Sequence, residues 1–183
     1  QRFDVDGIVT TPMSTLNDEA FAVTVQADGK TVAAGLVYTE EGLKFGIARF
    51  NSDGSLDQSF GSEGKVQTQF GTFSSIPSSI SVQLDGRIVV AGYAYNGSNY
   101  DFALVRYMPN GDLDTSFGTG GKVTTAVGSG DDNANKVVIQ PDGKILLGGD
   151  AMIGGQRDMA ILRYDANGSL DATFGTGGIF TRG

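Results

Sequence analysis

Apolar and polar residues alternate with a period of two across 79–84, where Ile80, Val82 and Leu84 fall on one side and Ser79, Ser81 and Gln83 on the other. That spacing predicts a strand with one face turned inward. Asp85-Gly86 follows, a pair that favours the positive φ angles of a type I′ hairpin. The next run, 87–95, is nearly continuously apolar through Ile88, Val89, Val90 and Ala91, as expected of a strand buried on both faces. A loop at 96–99 leads to a third strand, Asp101-Phe102-Ala103-Leu104-Val105-Arg106-Tyr107, and Asn110-Gly111 marks a second hairpin. After the turn FGTGG, Lys122-Val123-Thr124-Thr125 supplies a fourth strand. The unit is read as four antiparallel strands.

The same unit recurs at a constant step of 57 residues, the spacing of Gly29, Gly86 and Gly143. That step also relates Gln26, Gln83 and Gln140; Gly35, Gly92 and Gly149; Arg49, Arg106 and Arg163; and Phe60, Phe117 and Phe174. No gap is needed anywhere. Such self-similarity means that one small supersecondary unit is arrayed, each copy burying its apolar face on the next. The chain divides into one array over 1–183, with repeats at about 12–68, 69–125 and 126–182. Residues 3–11, FDVDGIVTT, run in phase with 60–68 and 174–182, so the last strand has an extra copy.

The fold class is therefore all-β: three tandem, four-stranded, blade-like repeats in the manner of a β-propeller. A propeller ordinarily needs four to eight blades, so three copies do not close one. The alternative is a β-trefoil, which is also built from three four-stranded repeats, although 57 residues per unit is long for it. The paired glycines of the FGxxG turns (61 and 64, 118 and 121, 175 and 178) are expected to hold backbone angles that other residues resist. The phenylalanine before each pair is expected to plug between units.

Composition narrows the chemistry. Apolar residues make up 39% of the chain, enough for a core, and 28 glycines with 4 prolines suit short strands and tight turns. With no cysteine and no histidine, disulfides, thiolate sites and the commonest general base are missing. A net charge of −8 opposes binding to nucleic acid, which needs a basic stripe. No apolar run is long enough to span a bilayer. Gln1 at the start fits removal of a secretory leader.

Three strings carry a family resemblance: QPDGKI at 140–145, DFALVRY at 101–107 and LDTSFGTGGKV at 113–123. The chain resembles the delta-60 repeats over nearly its whole length, the first copy departing with Lys44 where the others have Asp101 and Asp158. The resemblance implies a bacterial secreted or cell-surface repeat protein with a blade-like sheet and no established activity.

Candidate site residues are few. The turns at 51–57, 108–114 and 165–171 place oxygen-bearing side chains at alternate positions, which makes Asp53, Asp57, Asp165, Asn167 and Asp171 weak calcium candidates. They lack a closing bidentate glutamate, and hairpin turns favour Asn, Asp and Gly for their own backbone bonds. Arg49, Arg106 and Arg163 recur inside apolar strands and are expected to pair with Asp57, Asp114 and Asp171. Paired carboxylates would suffice for a glycosidase, but the glutamates Glu19, Glu40, Glu41 and Glu63 lie in or beside the first copy, with Glu40-Glu41 at a loop tip. No catalytic residue and no cofactor is assigned, and the chain is read as not an enzyme. Tyr93, Tyr95 and Tyr100 cluster around one loop and suit stacking on a sugar or peptide, or cover between units. The sequons Asn96-Gly97-Ser98 and Asn167-Gly168-Ser169 also read as plain turn tips.

The functional expectation is a non-enzymatic extracellular structural protein that self-associates through its edge strands, 3–11 and 174–182, into an oligomer or filament. The alternative is an extracellular binding module whose loops recognise a glycan or a surface protein.

Overall fold

A computed structural model describes residues 3, 4 and 6–183. Three sheets follow one another along the chain. The first contains β1 (Asp18–Val25), β2 (Thr31–Thr39), β3 (Gly42–Phe50) and β4 (Lys65–Thr68). The second contains β5 (Ser75–Val82), β6 (Ile88–Tyr95), β7 (Tyr100–Tyr107) and β8 (Lys122–Thr125). The third contains β9 (Asn133–Ile139), β10 (Ile145–Ile153), β11 (Gln156–Tyr164) and β12 (Ile179–Arg182). Each sheet is an antiparallel meander in sequence order, and no strand is shared between sheets. The chain is thus a run of propeller blades, and the trefoil alternative, which pools hairpins from all three repeats in one barrel, does not apply.

Blades stack face to face. Val32, Phe45, Ile47 and Phe60 of the first blade form one buried cluster with Ile80, Ile88, Val90, Val105 and Tyr107 of the second. The opposite face of the second blade, Val89, Ala91, Phe102, Leu104 and Phe117, forms the next cluster with Val137, Ile145, Leu147, Leu162 and Tyr164 of the third. Strand β6 is buried on both sides for that reason, with Ile88 through Ala91 all at 0% exposure.

Two local expectations need correction. The Asp85-Gly86 turn is not type I′: among the described residues only Asp4 and Glu63 are non-glycines with positive φ, so Asp85 stays in the ordinary region while Gly86 lies at +82°. Gly86 N–H donates to Gln83 O and Gln83 N–H to Arg87 O, which is a type I turn closed by a left-handed glycine. Asn110-Gly111 is built the same way, between Met108 and Asp112. Leu84, placed on the inward face by alternation, sits in this turn and is fully exposed.

The recurrent Gly35, Gly92 and Gly149 have a shared cause. The innermost strand of each blade bulges where it passes them, between Ala20 and Ala22, between Pro77 and Ser79, and opposite Gly148 and Gly149. A Cβ on Gly92 would lie 2.0 Å from Ile76 O and 2.8 Å from Phe45 Cζ of the neighbouring blade. Gly92→Ala is therefore expected to cost about 3 kcal/mol in urea unfolding. Gly148→Ala, whose Cβ meets nothing within 4 Å, is expected to stay within about 0.5 kcal/mol of the parent. Equal effects of the two would contradict this account of the bulge.

Candidate functional site

The repeated residues with most chemistry converge at the seam between blades. Arg49 Nε donates to Asp57 Oδ2 at 2.7 Å, Arg106 Nε to Asp114 Oδ2 at 2.8 Å and Arg163 Nε to Asp171 Oδ2 at 2.7 Å, the pairing expected from the sequence. A second cation joins each carboxylate: Lys30 on Asp57, Arg87 on Asp114 and Lys144 on Asp171. The other carboxylate oxygen accepts from backbone and hydroxyl of Ser59, Ser116 or Thr173. Each guanidinium also lies over the plugging ring, 4.5 Å from the centroid of Phe60, 4.5 Å from Phe117 and 4.7 Å from Phe174.

These groups then reach the next blade. Arg49 Nη1 donates to Pro109 O, and Arg106 Nη1 to Ala166 O. Gly61 N–H donates to Asn110 O and Gly118 N–H to Asn167 O, both at 2.8 Å. Gly111 must lack a side chain, since a Cβ would lie 2.8 Å from Gly61 N and 3.1 Å from the Phe60 ring. Tyr107 OH donates to Thr68 Oγ1 at 2.6 Å and Tyr164 OH to Thr125 Oγ1 at 2.9 Å, again across a seam. Burial pushes both phenols above their ordinary pKa.

The calcium candidates are engaged by other side chains and by their own turns. Asp57 and Asp171 carry two cations each, Asp165 receives Lys144 Nζ, and Asp53 and Asn167 accept from Ser55 and Ser169 within their own turns. Among the described residues no three acidic side chains gather around one point. A donor set already holding ammonium and guanidinium groups does not suit a calcium ion. Glu41 pairs with Lys44 at the exposed β2–β3 hairpin, and Asn96 Oδ1 accepts from Ser98 N and Asn99 N as a turn residue.

The described residues of this segment, 3, 4 and 6–11, are not paired as a strand; they lie on the first blade as 60–68 lie on the second. Asp4 N–H donates to Asp53 O at 2.6 Å, matching Gly61 on Asn110. Asp4 has φ 52°, close to the 54° of Gly61. Lys65 Nζ donates to Pro12 O at 2.8 Å as Lys122 Nζ does to Gln69 O at 2.7 Å. Phe3 stands 6.4 Å from Phe50, in the place of a plug. The fit is poorer than within the array, because Asp4 carries a side chain where Gly61 has none and Phe50 has no hydroxyl for Thr11.

The two end faces are open. Val23 is 68% exposed, whereas its counterparts Ile80 and Val137 are 6% and 2% exposed. Met159 is 60% exposed, whereas Phe45 and Phe102 are buried at 0% and 1%. Val25 adds to the first face and Phe180 to the second. Alternation alone could not reveal this, since the residue types match those of the buried seams.

A stack of four-stranded blades joined by repeated Arg–Asp seams defines a β-propeller repeat protein. The chain belongs to the domain of unknown function (DUF5122) beta-propeller family, whose model matches residues 26–60, 83–117 and 140–174. No curated protein sequence matches it. Among solved structures it is similar to a fucose lectin from Kordia zhangzhouensis in complex with methyl-fucoside, at 13% identity, with 88% of this chain and 99% of that chain covered and a TM-score of 0.45. That similarity is too low to carry a ligand across.

The seam carboxylates set the acid response. Burial would raise the pKa of Asp114, but hydrogen bonds from Ser116 and the charge and hydrogen bond of Arg106 more than offset it, leaving the pKa lowered. Asp57 is likewise held well below the usual carboxylate range, burial being outweighed by Lys30, Ser59 and Arg49. A carboxylate depressed in the folded state contributes stability that is present above the unfolded value of about 3.9 and lost as pH falls through the folded value. Asp114→Asn is expected to cost about 3 kcal/mol near neutral pH by leaving Arg106 unpaired. The gap to the parent should narrow as urea midpoints are followed below about pH 4. A gap that widens in acid would contradict the assignment.

Proposed function

We propose that this chain is a non-enzymatic, extracellular structural repeat protein that associates head to tail with further copies of itself. The open end faces carry this reading. Val23 on one end and Met159 on the other are exposed at positions that are buried at both internal seams, and exposed Val25 and Phe180 lie at positions that are half-buried there. A second copy supplies a third seam of the same kind. The sizes also agree: the first blade offers Thr31, Ala33 and Ala48 where the second offers Ile88, Val90 and Val105. Beside them a groove of about 350 Å³ lies between 9–13 and the first blade. Once 3–11 is displaced, bulky Met159, Ile161 and Phe180 of a neighbour would occupy that space against the first blade. The resemblance to delta-60 repeats supports a secreted or cell-surface setting.

Contact runs through blade faces rather than free edge strands. Segment 174–182 of one copy takes the seat that 3–11 occupies on the next, so assembly displaces 3–11. The strained Asp4, at a cost on the order of 1 kcal/mol, favours that exchange.

Sedimentation velocity over a wide concentration range tests the proposal. The full chain is expected to form concentration-dependent oligomers, deletion of 1–11 to strengthen them, and Val23→Asp or Met159→Asp to leave folded monomers. Both substituted positions are solvent-exposed in a single chain, so folding is retained. Monomers at every concentration, for both the full chain and the deletion, would overturn the reading.

A further inference from the structure

The second blade breaks the repeat symmetry in one place. A cavity of about 620 Å³, within the range of small-ligand sites, opens beside β8 and the link between β4 and β5. Phe73, Tyr95, Asn96, Asp101 and Lys122 are among its lining residues. Asp101 is only 8% exposed. Its Oδ2 accepts from Asn96 Nδ2 at 2.9 Å, while its Oδ1 is buried and receives no hydrogen bond. A buried carboxylate oxygen without a donor is costly, and a donor arriving from the cavity relieves it. Lys122 Nζ uses one proton on Gln69 O and keeps others for a ligand oxygen. Phe73 and Tyr95 meet edge to face with centroids 5.6 Å apart, and Tyr100 and Tyr93 extend the aromatic row at 5.2 and 5.3 Å.

An acceptor carboxylate, a donor ammonium and aromatic rings around one cleft match a molecule that carries hydroxyl groups beside an apolar C–H face. We propose that this cleft binds a neutral pyranose, with a hydroxyl donating to Asp101 Oδ1, another accepting from Lys122 Nζ, and the sugar's C–H face against Phe73 and Tyr95. The reading does not depend on self-association.

The other blades act as internal controls. In the third, a cavity of about 470 Å³ lies at the matching place, lined by Val127, Ile153, Ile179 and Phe180 among others. There Gly130 stands for Phe73, Met152 for Tyr95, Ile153 for Asn96 and Ile179 for Lys122. In the first, Lys44 replaces the carboxylate and Leu16 the phenylalanine. Only the second blade combines acceptor, donor and rings.

Saturation-transfer NMR with methyl glycosides of glucose, galactose, mannose, fucose and N-acetylglucosamine tests the site. At least one glycoside is expected to show transfer and to shift amide signals within 95–101 and 119–124. The double substitution Tyr95→Met, Lys122→Ile copies residues with which the third blade already folds, and is expected to abolish the transfer. Asp101→Asn should weaken binding roughly tenfold or more, as loss of a hydrogen bond to a charged group does. Absence of transfer from the whole panel, or transfer that survives the double substitution, would overturn the proposal.

Discussion

The guanidinium of Arg49 or Arg106 is held from three directions at once: by the carboxylate of its own blade, by the face of its own phenylalanine, and by a main-chain carbonyl of the next blade. Everything else in the stack depends on that arrangement. The carboxylate satisfies a cation that would otherwise be buried unpaired, and the phenylalanine beneath it excludes water from the seam. Once the arginine is fixed, the hairpin carrying Pro109 or Ala166 has one place to sit, and the apolar clusters on either side close around it. Blade geometry and blade contact are therefore a single feature.

Much of this was legible along the chain. The 57-residue step, the strand runs and the Arg–Asp pairs were all readable because each depends on residue type and local spacing. What was misread depends on neighbours in space. Asp85-Gly86 looks like a two-residue hairpin turn, but bonds from Gln83 to Gly86 and Arg87 set a longer one. Leu84 completes an alternation that the turn interrupts. Asp57 and Asp171 were expected to meet only an arginine, whereas Lys30 and Lys144 also reach them from a strand end 27 residues earlier. Residues 3–11 carry the pattern of a strand, yet among the described residues no third strand lies beside them to pair with.

The aromatic cluster was visible as Tyr93, Tyr95 and Tyr100, but its meaning was not. Phe73 comes from the link between blades, Asp101 from the start of the interior strand β7 and Lys122 from the outermost strand. Only the fold brings them to one cleft. The signal that would have found it is departure from the repeat: a carboxylate, a lysine and an aromatic residue that coincide in the middle copy and in neither other copy.

Much of the polar contact across the seams is to main chain, Gly61 N–H on Asn110 O and Gly118 N–H on Asn167 O, with arginine reaching a carbonyl rather than a particular side chain. The polar part of that recognition is thus of backbone shape and is the same at every junction. Loss or duplication of one whole unit would leave every remaining junction chemically unchanged, whereas removal of a single residue inside a module would shift the partners of both its junctions. Length in whole modules is the dimension along which such a protein can vary freely in its lineage.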